Sequence, residues 1–260
     1  MPLLETIGSG GAKAFGLNSG GKKAFILKSV YNTATLYAPL NDTSIYLSGA
    51  KSGSYFVTVD SDSTFDVDPL INRDVLKSPN SGATISADGK VINKISVAGI
   101  SLSSTHSVSI WQRSRTGAAV GMLLSKYWDN EGVSGSPLDI WDGNADGNIY
   151  GNIGDSMTNP FSDSGTTQDW KSQTWTHWCF TFDGGTARMY KNGAFIGTMS
   201  TYRSFTTHAG NGSWTLGSWA GPYAGDYWLT DSNFADFSWW NGSALNLTSV
   251  QNIYNAGPGF

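Results

Sequence analysis

All 11 tryptophans of this chain lie between Trp111 and Trp240, and residues 1–110 contain none. Indole rings are the largest apolar fillers a chain possesses, so most of these 11 must line a sizeable packed interior built by the second half. That interior cannot be mainly helical. The chain has 18 Asp but only two Glu, Glu5 and Glu131, with 32 Gly and abundant Ser, Thr and Asn, all poor formers of helix interiors. A large aromatic core in such a chain calls for strands joined by polar turns.

From residue 106 onward the strand signals become regular. His106-Ser-Val-Ser-Ile-Trp-Gln112 alternates, Met122-Leu-Leu-Ser-Lys-Tyr127 is apolar, and Leu138-Asp-Ile-Trp-Asp142 alternates again. In Trp175-Thr-His-Trp-Cys-Phe-Thr-Phe182 the two-residue period sets Trp178, Phe180 and Phe182 on one face and His177, Cys179 and Thr181 on the other. Apolar groups on both faces predict a central strand. Asp183-Gly-Gly reads as a tight turn, and Asn192-Gly193 as a two-residue hairpin between 187–191 and 194–198, because this pair most readily takes two positive φ angles. Further strands are predicted at Ser213–Trp219 and Asn233–Trp240. Leu247, Val250, Ile253 and Tyr254 form a helical stripe, so one short C-terminal helix is expected, capped by Thr248 or Ser249 and stopped by Gly257.

The earlier residues read differently. Residues 1–30 hold six glycines between Gly8 and Gly21 and predict a glycine-rich extended arm. Residues 31–105 contain β-like runs such as Ser54–Asp60 and Val91–Val97, and residues 106–260 make the main sandwich. The beginning of the chain lacks a basic start followed by an apolar stretch, and no apolar run is long enough for a membrane helix, so neither a secretory leader nor a span is expected. Net charge is −4 with scattered basic residues, which excludes the clustered cationic footprint of a nucleic-acid binder. A single cysteine, Cys179, leaves no internal disulfide to rely on.

The order of these segments resembles the laminin-G-like jelly-roll family, a branch of the concanavalin A-like lectin/glucanase fold. Ser107-Val-Ser-Ile-Trp111 is similar to its "FTISFWV" strand and Leu124-Ser-Lys126 to the "L-S-K" that follows. Trp175–Gly184 resembles "W-H-H-V-A-V-T-Y-D-G", Met189–Gly197 resembles "L-Y-V-D-G-x-L-V-G", and Phe234–Trp240 stands where the family has "I-D-E-V-R-I-Y". Tyr254-Asn-Ala-Gly257 is similar to its closing helix. The resemblance implies an all-β, antiparallel two-sheet jelly-roll sandwich over residues 106–256, with Ile45–Asp68 as a candidate opening strand and 69–100 as an insertion. Ala235 departs from the pattern, since the family commonly has an acid there.

The same fold carries hydrolases, whose chemistry depends on particular residues. Retaining glycosidases need two carboxylates about 5 Å apart. With two Glu in the whole chain there is no Glu-x-Asp-x-Glu carrier, and the pairs Asp60/Asp62 and Asp66/Asp68 sit among Ser and Thr that suggest turns. His106, His177 and His208 show no metal-ligand spacing; His177 reads as a packed strand residue and Cys179 as a buried, inert thiol. The chain is therefore expected not to be an enzyme.

Two binding candidates stand out. Asp142, Asn144, Asp146 and Asn148 reproduce the first half of a calcium loop, but Ile153 occupies the place of the bidentate Glu; Ca2+ and a plain polar turn are the alternatives, the turn preferred. Trp219, Tyr223, Asp226 and Tyr227, with Trp128 in a second cluster, combine aromatic faces with polar rims in the manner of a carbohydrate site, against the competing reading that most tryptophans are core.

The opening Gly8–Leu17 also resembles the glycine-rich leaders of some phage tail and fibre proteins. With no export signal or disulfide in view, the expectation is a bacteriophage virion protein on the outer surface of capsid or tail. Its N-terminal region would attach to other virion proteins while the sandwich meets host surface polysaccharide. A homo-oligomer, with a trimer favoured, is expected from the fibre likeness. The alternatives are a capsid or tail decoration protein with a purely structural role, and a bacterial surface protein exported by a non-standard route.

Overall fold

The computed structural model describes residues 31, 33–41, 46–47, 56–58, 64–77, 94–96, 102–116, 122–128, 138–143, 148–153, 172–199, 212–217 and 231–258. The glycine-rich arm at 1–30, Asp60/Asp62 and His208 lie outside these residues. In chain order the strands are β1 (Leu36–Ala38), β2 (Tyr46–Leu47), β3 (Phe56–Thr58), β4 (Thr64–Asp68), β5 (Arg73–Lys77), β6 (Lys94–Ser96), β7 (Thr105–Ser114) and β8 (Met122–Trp128). They continue with β9 (Leu138–Gly143), β10 (Asn148–Ile153), β11 (Thr176–Asp183), β12 (Ala187–Lys191), β13 (Ala194–Met199), β14 (Gly212–Leu216) and β15 (Ser232–Asn241), followed by helix α1 (Leu247–Ala256).

Among the described residues these strands form two antiparallel sheets. The first runs β13-β12-β11-β7-β15-β1-β2, with the β4–β5 hairpin also joined to β15; the second runs β10-β9-β8-β14-β6-β3. The candidate opening segment from Ile45 is preceded by β1, which pairs with β15 through Leu36↔Trp239 and Ala38↔Phe237. The stretch read as an insertion supplies β5 to the first sheet and β6 to the second.

The core lies between the sheets and follows the alternation in the sequence. Trp178, Phe180 and Phe182 of β11, Val108 and Ile110 of β7, and Phe234, Phe237 and Trp239 of β15 face Leu124, Ile140, Trp214 and Leu216 of the second sheet. Trp214 meets Trp239 edge-on at 5.5 Å and Phe237 at 5.4 Å, so one indole from the second sheet fills the space beneath two aromatics of the first. β11 is interior, bonded to β7 on one side and β12 on the other, as its two apolar faces predict. Asn192 and Gly193 adopt φ 49° and 76°, the two positive angles of the predicted hairpin.

Four local expectations are corrected. The helix N-cap is Asn246, whose amide oxygen accepts the Ser249 N–H at 2.9 Å; Thr248 and Ser249 already lie within the helix. Val250 and Ile253 are buried as the stripe requires, but Leu247 is 43% exposed because only the later turn rests on the sheet. Asp66 and Asp68 belong to strand β4, not a turn. The strand expected over 213–219 stops at Leu216, where Gly217 turns away with φ 71°.

Two histidines are fully buried on opposite faces of the first sheet. His106 lies on the inner face, stacked on Phe182 at 4.2 Å with Nδ1 2.7 Å from the Ser103 carbonyl. His177 lies on the outer face with Nε2 2.7 Å from Ser109 Oγ. Loss of hydration pushes both down to about 3 from the ordinary value near 6.5.

Two outcomes follow from this packing. Phe180→Ala empties the space between the sheets and should cost about 3–5 kcal/mol in urea unfolding; a loss below about 1 kcal/mol would contradict the assigned core. The unfolded chain takes up the histidine protons near pH 6.5 and the native chain only near 3. Stability should therefore be complete above about pH 6.5 and fall with acidification by up to about 1.4 kcal/mol per pH unit per histidine. Urea midpoints at pH 7 and pH 5 check this; equal values would refute it.

Candidate functional site

Strand directions sort the loops onto the two ends of the sandwich. β14 runs antiparallel to β8, with Gly212 opposite Trp128 and Leu216 opposite Leu124. β9 likewise runs from Leu138 opposite Lys126 toward Trp141 opposite Met122. The β9–β10 connection at 144–147 and the departure of 218–230 from β14 therefore share the end where β8 begins, while Trp128 stands at the other end of the ladder. Trp219, Tyr223, Asp226 and Tyr227 lie outside the described residues, and only the backbone position of Trp128 is described. The strand order does not bring Trp128 to the end from which the segment of the other four emerges.

The candidate cation loop is divided by the same ladder. Asp142 pairs with Ile149 and Asn148 with Gly143, so both are strand positions flanking 144–147, and Asn144 and Asp146 lie outside the described residues. Ile153 pairs with Leu138 at the far end of this hairpin, which rules out a continuous EF-hand-type loop through 153. Among the described residues, no group of three or more His, Cys, Asp or Glu side chains could hold a metal.

The segment 218–230 returns to the first sheet at a polar cluster on the sheet's outer face. Asp231 forms a salt bridge with Arg115 and its carbonyl accepts the Arg115 N–H at 3.0 Å, fixing the point of return to the end of β7. Beside them Asp68 is fully buried. Its Oδ2 accepts from Arg113 Nε and Asn233 Nδ2, both at 2.7 Å, and its Oδ1 from Trp175 Nε1 at 3.3 Å and the Leu70 N–H at 2.9 Å. Burial alone would raise its pKa, but the bonds from Asn233, Leu70 and Arg113 and the Arg113 charge outweigh it and hold the carboxyl below its usual range. One carboxylate thus ties the β4–β5 hairpin to β7, β15 and the residue before β11.

A second acid organises the middle of that face. Ala235, where an acid was expected by resemblance, is followed by Asp236 in a bulge of β15 with φ 52°. Tyr37 donates its hydroxyl to Asp236 Oδ1 at 2.9 Å, Arg73 Nη1 lies 3.6 Å from the same oxygen, and the Asp236 N–H reaches the Pro39 carbonyl at 3.1 Å. Burial, followed by the Asp236 charge, pushes the Tyr37 phenol far up, so it stays a donor.

These groups bind one another and are not arranged for chemistry. Asp68, Asp231 and Asp236 each face an arginine, the opposite of the facing carboxylates that glycoside hydrolysis uses. Ser109 and His177 are hydrogen-bonded, but His177 Nδ1 has no partner to orient it and both side chains are fully buried. Burial also pushes the Cys179 thiol far up, away from the reactive thiolate. The sequence offered Asp68 only as half of an acid pair and left Arg113, Asp231 and Asn233 unmarked; the available signal was arginine at alternate positions 113 and 115 at the end of an alternating strand.

Solved structures share this fold at low identity. Domain 4 of AbnA, an extracellular GH43 arabinanase from Geobacillus stearothermophilus solved with arabinotriose, matches at 15% identity and TM-score 0.50, over 85% of this chain and 98% of that one. The botulinum neurotoxin serotype D ligand binding domain solved with N-acetylneuraminic acid matches at 12% identity and TM-score 0.57, over 89% of this chain and 53% of that one. The binding domain of Paraclostridial Mosquitocidal Protein 1 matches at 16% and TM-score 0.52, over 86% of this chain and 52% of that one. This chain spans about half the length of those two binding domains. No curated protein matches it in sequence. The sequence profile of the laminin-G type described as "Concanavalin A-like lectin/glucanases superfamily" matches residues 86–251, more than half of the chain, and with the two-sheet jelly roll above it identifies the chain as a member of that superfamily.

Proposed function

We propose that this protein is a non-enzymatic, lectin-type adhesion module that binds surface polysaccharide through the end of the sandwich from which 218–230 emerges. The observation carrying this reading is that, among the described residues, the buried acids beside the return of 218–230, Asp68, Asp231 and Asp236, are each paired with arginine and serve as scaffold. Trp219, Tyr223, Asp226 and Tyr227 supply the aromatic faces and polar rim that hold a sugar ring. The solved relatives with arabinotriose and N-acetylneuraminic acid support a saccharide as the ligand class. The setting proposed is the outer surface of a phage virion, with residues 1–30 as the attachment arm and the chain assembled as a homo-oligomer, a trimer favoured by the fibre likeness.

For the segment 142–148 the paired flanks favour a polar hairpin turn, and calcium is the lesser proposal. A thermal melt should give the same midpoint with calcium as with EDTA; an upward shift with calcium would assign a cation to Asp142, Asn144, Asp146 and Asn148. On a glycan array carrying bacterial envelope polysaccharides the protein should give hits. Trp219→Ala and Tyr223→Ala should each weaken binding about 10–100-fold at unchanged melting temperature, while Trp128→Ala, at the other end, should not. No saccharide binding would refute this reading and leave a purely structural decoration role. Loss confined to Trp128→Ala would move the site to the opposite end.

A further inference from the structure

Helix α1 lies across the outer face of the first sheet on very few residues. Val250 packs with Cys179 and Tyr190, and Ile253 with Tyr31 and Trp240. Tyr254 stacks on Trp111 with ring centroids 5.8 Å apart and planes 20° apart. It also seats on the β12–β13 turn, where a Cβ on Gly193 would come within 3.0 Å of its ring.

His177 lies under this contact, 5.1 Å from the Trp111 ring and 6.3 Å from the Tyr254 ring. Its Nε2 meets Ser109 Oγ at 2.7 Å, whereas Nδ1 is buried with no partner, as is the neighbouring Trp111 Nε1. The groups facing it are Ser109 and Trp111 from β7, Tyr254 from α1, Cys179 two residues along β11, and Asn192 of the turn, whose Oδ1 accepts the His177 backbone N–H at 2.9 Å. Tyr254 and Cys179 are the titratable members of this set, and it contains no carboxylate and no cationic side chain. Asp236, on the same face, is engaged by Tyr37 and Arg73.

We propose that α1 is an acid-released clasp: protonation of His177 lifts the helix off the sheet and uncovers Trp111, Cys179 and Tyr190 while the two sheets stay packed. An imidazolium at this place would have a second N–H with no acceptor and no counterion, a state that must find water. Undocking a 10-residue helix held mainly by Val250, Ile253, Tyr254 and Ala256 reaches water with less loss of packing than separating β7 from β11. The low pKa that burial imposes on His177, about 3, agrees with that geometry. His106 differs. It sits between the sheets against Phe182, so its protonation opposes the whole sandwich and not the helix.

The single cysteine of the chain is the reporter, since Cys179 is fully buried and packs with Val250. The full-length protein would be labelled with 4,4′-dithiodipyridine, a disulfide that reacts with thiols in mild acid, at pH 7 and pH 4.5, each rate divided by that of a free thiol at the same pH. With an open-state histidine of ordinary pKa, the relative rate should rise about 50–100-fold between these values. The far-ultraviolet β signal should persist, His177→Gln should abolish the rise, and His106→Gln should keep it. Tyr254→Ala should label quickly already at pH 7. A flat relative rate, a rise that coincides with loss of the β signal, a rise that survives His177→Gln, or Tyr254→Ala labelling as slowly as the parent would overturn the proposal.

Discussion

Three adjacent strands, β7, β11 and β15, are buried on both faces, and the rest of the structure answers to that fact. A sheet facing water on one side needs only one partner layer, but here Trp111, Cys179, Ala235 and Trp240 on the outer side must be covered as thoroughly as the Phe180 side. The second sheet covers the inner side. On the outer side Tyr31 and α1 cover one part and the β4–β5 hairpin another, with Ile71 and Val75 of that hairpin packed beside Trp111 and Ala235. The elements before Thr105 and after Asn241 are thus structural partners of the tryptophan-rich half.

The edge of β15 has to accept two different neighbours. β5 pairs at Asn233 and Phe234, β1 pairs at Phe237 to Trp239, and the bulge at Asp236 separates the two registers. An extra residue alone would leave a buried peptide unpaired. Asp236 resolves this by giving its N–H to Pro39, at the end of β1, while its carboxylate holds Tyr37 of β1 and Arg73 of β5. Asp68 plays the matching part at the tip of the β4–β5 hairpin, tying it to Arg113 and Asn233. Both carboxylates are structural ties, so these buried acids serve the fold by holding separate elements together.

The sandwich was readable where side-chain period and turn chemistry coincide. Trp178, Phe180 and Phe182 announce the inner face of β11, and Asn192-Gly193 announces its hairpin, because both depend only on neighbours in sequence. The β4 strand was not readable, since Thr64–Asp68 gains its regular form from pairing with β5 and from Arg113, distant in sequence. The Asn246 cap was missed because a helix start is decided by which oxygen reaches an N–H, and Asn246, Thr248 and Ser249 stand within one turn of one another. For the proposed sugar site, composition pointed to aromatic loops, but pairing direction separates Trp128 from the rest, information that no local pattern contains.

If this double cover organises the fold, the trio of β7, β11 and β15 is the most protected part of the molecule. Native-state hydrogen exchange followed by peptide mass spectrometry measures this directly. The slowest amides should fall in 105–114, 176–183 and 232–241, with 194–199 at the sheet edge exchanging much faster. Equal rates in the trio and at that edge would mean that its outer face is open to water and that the double cover does not exist.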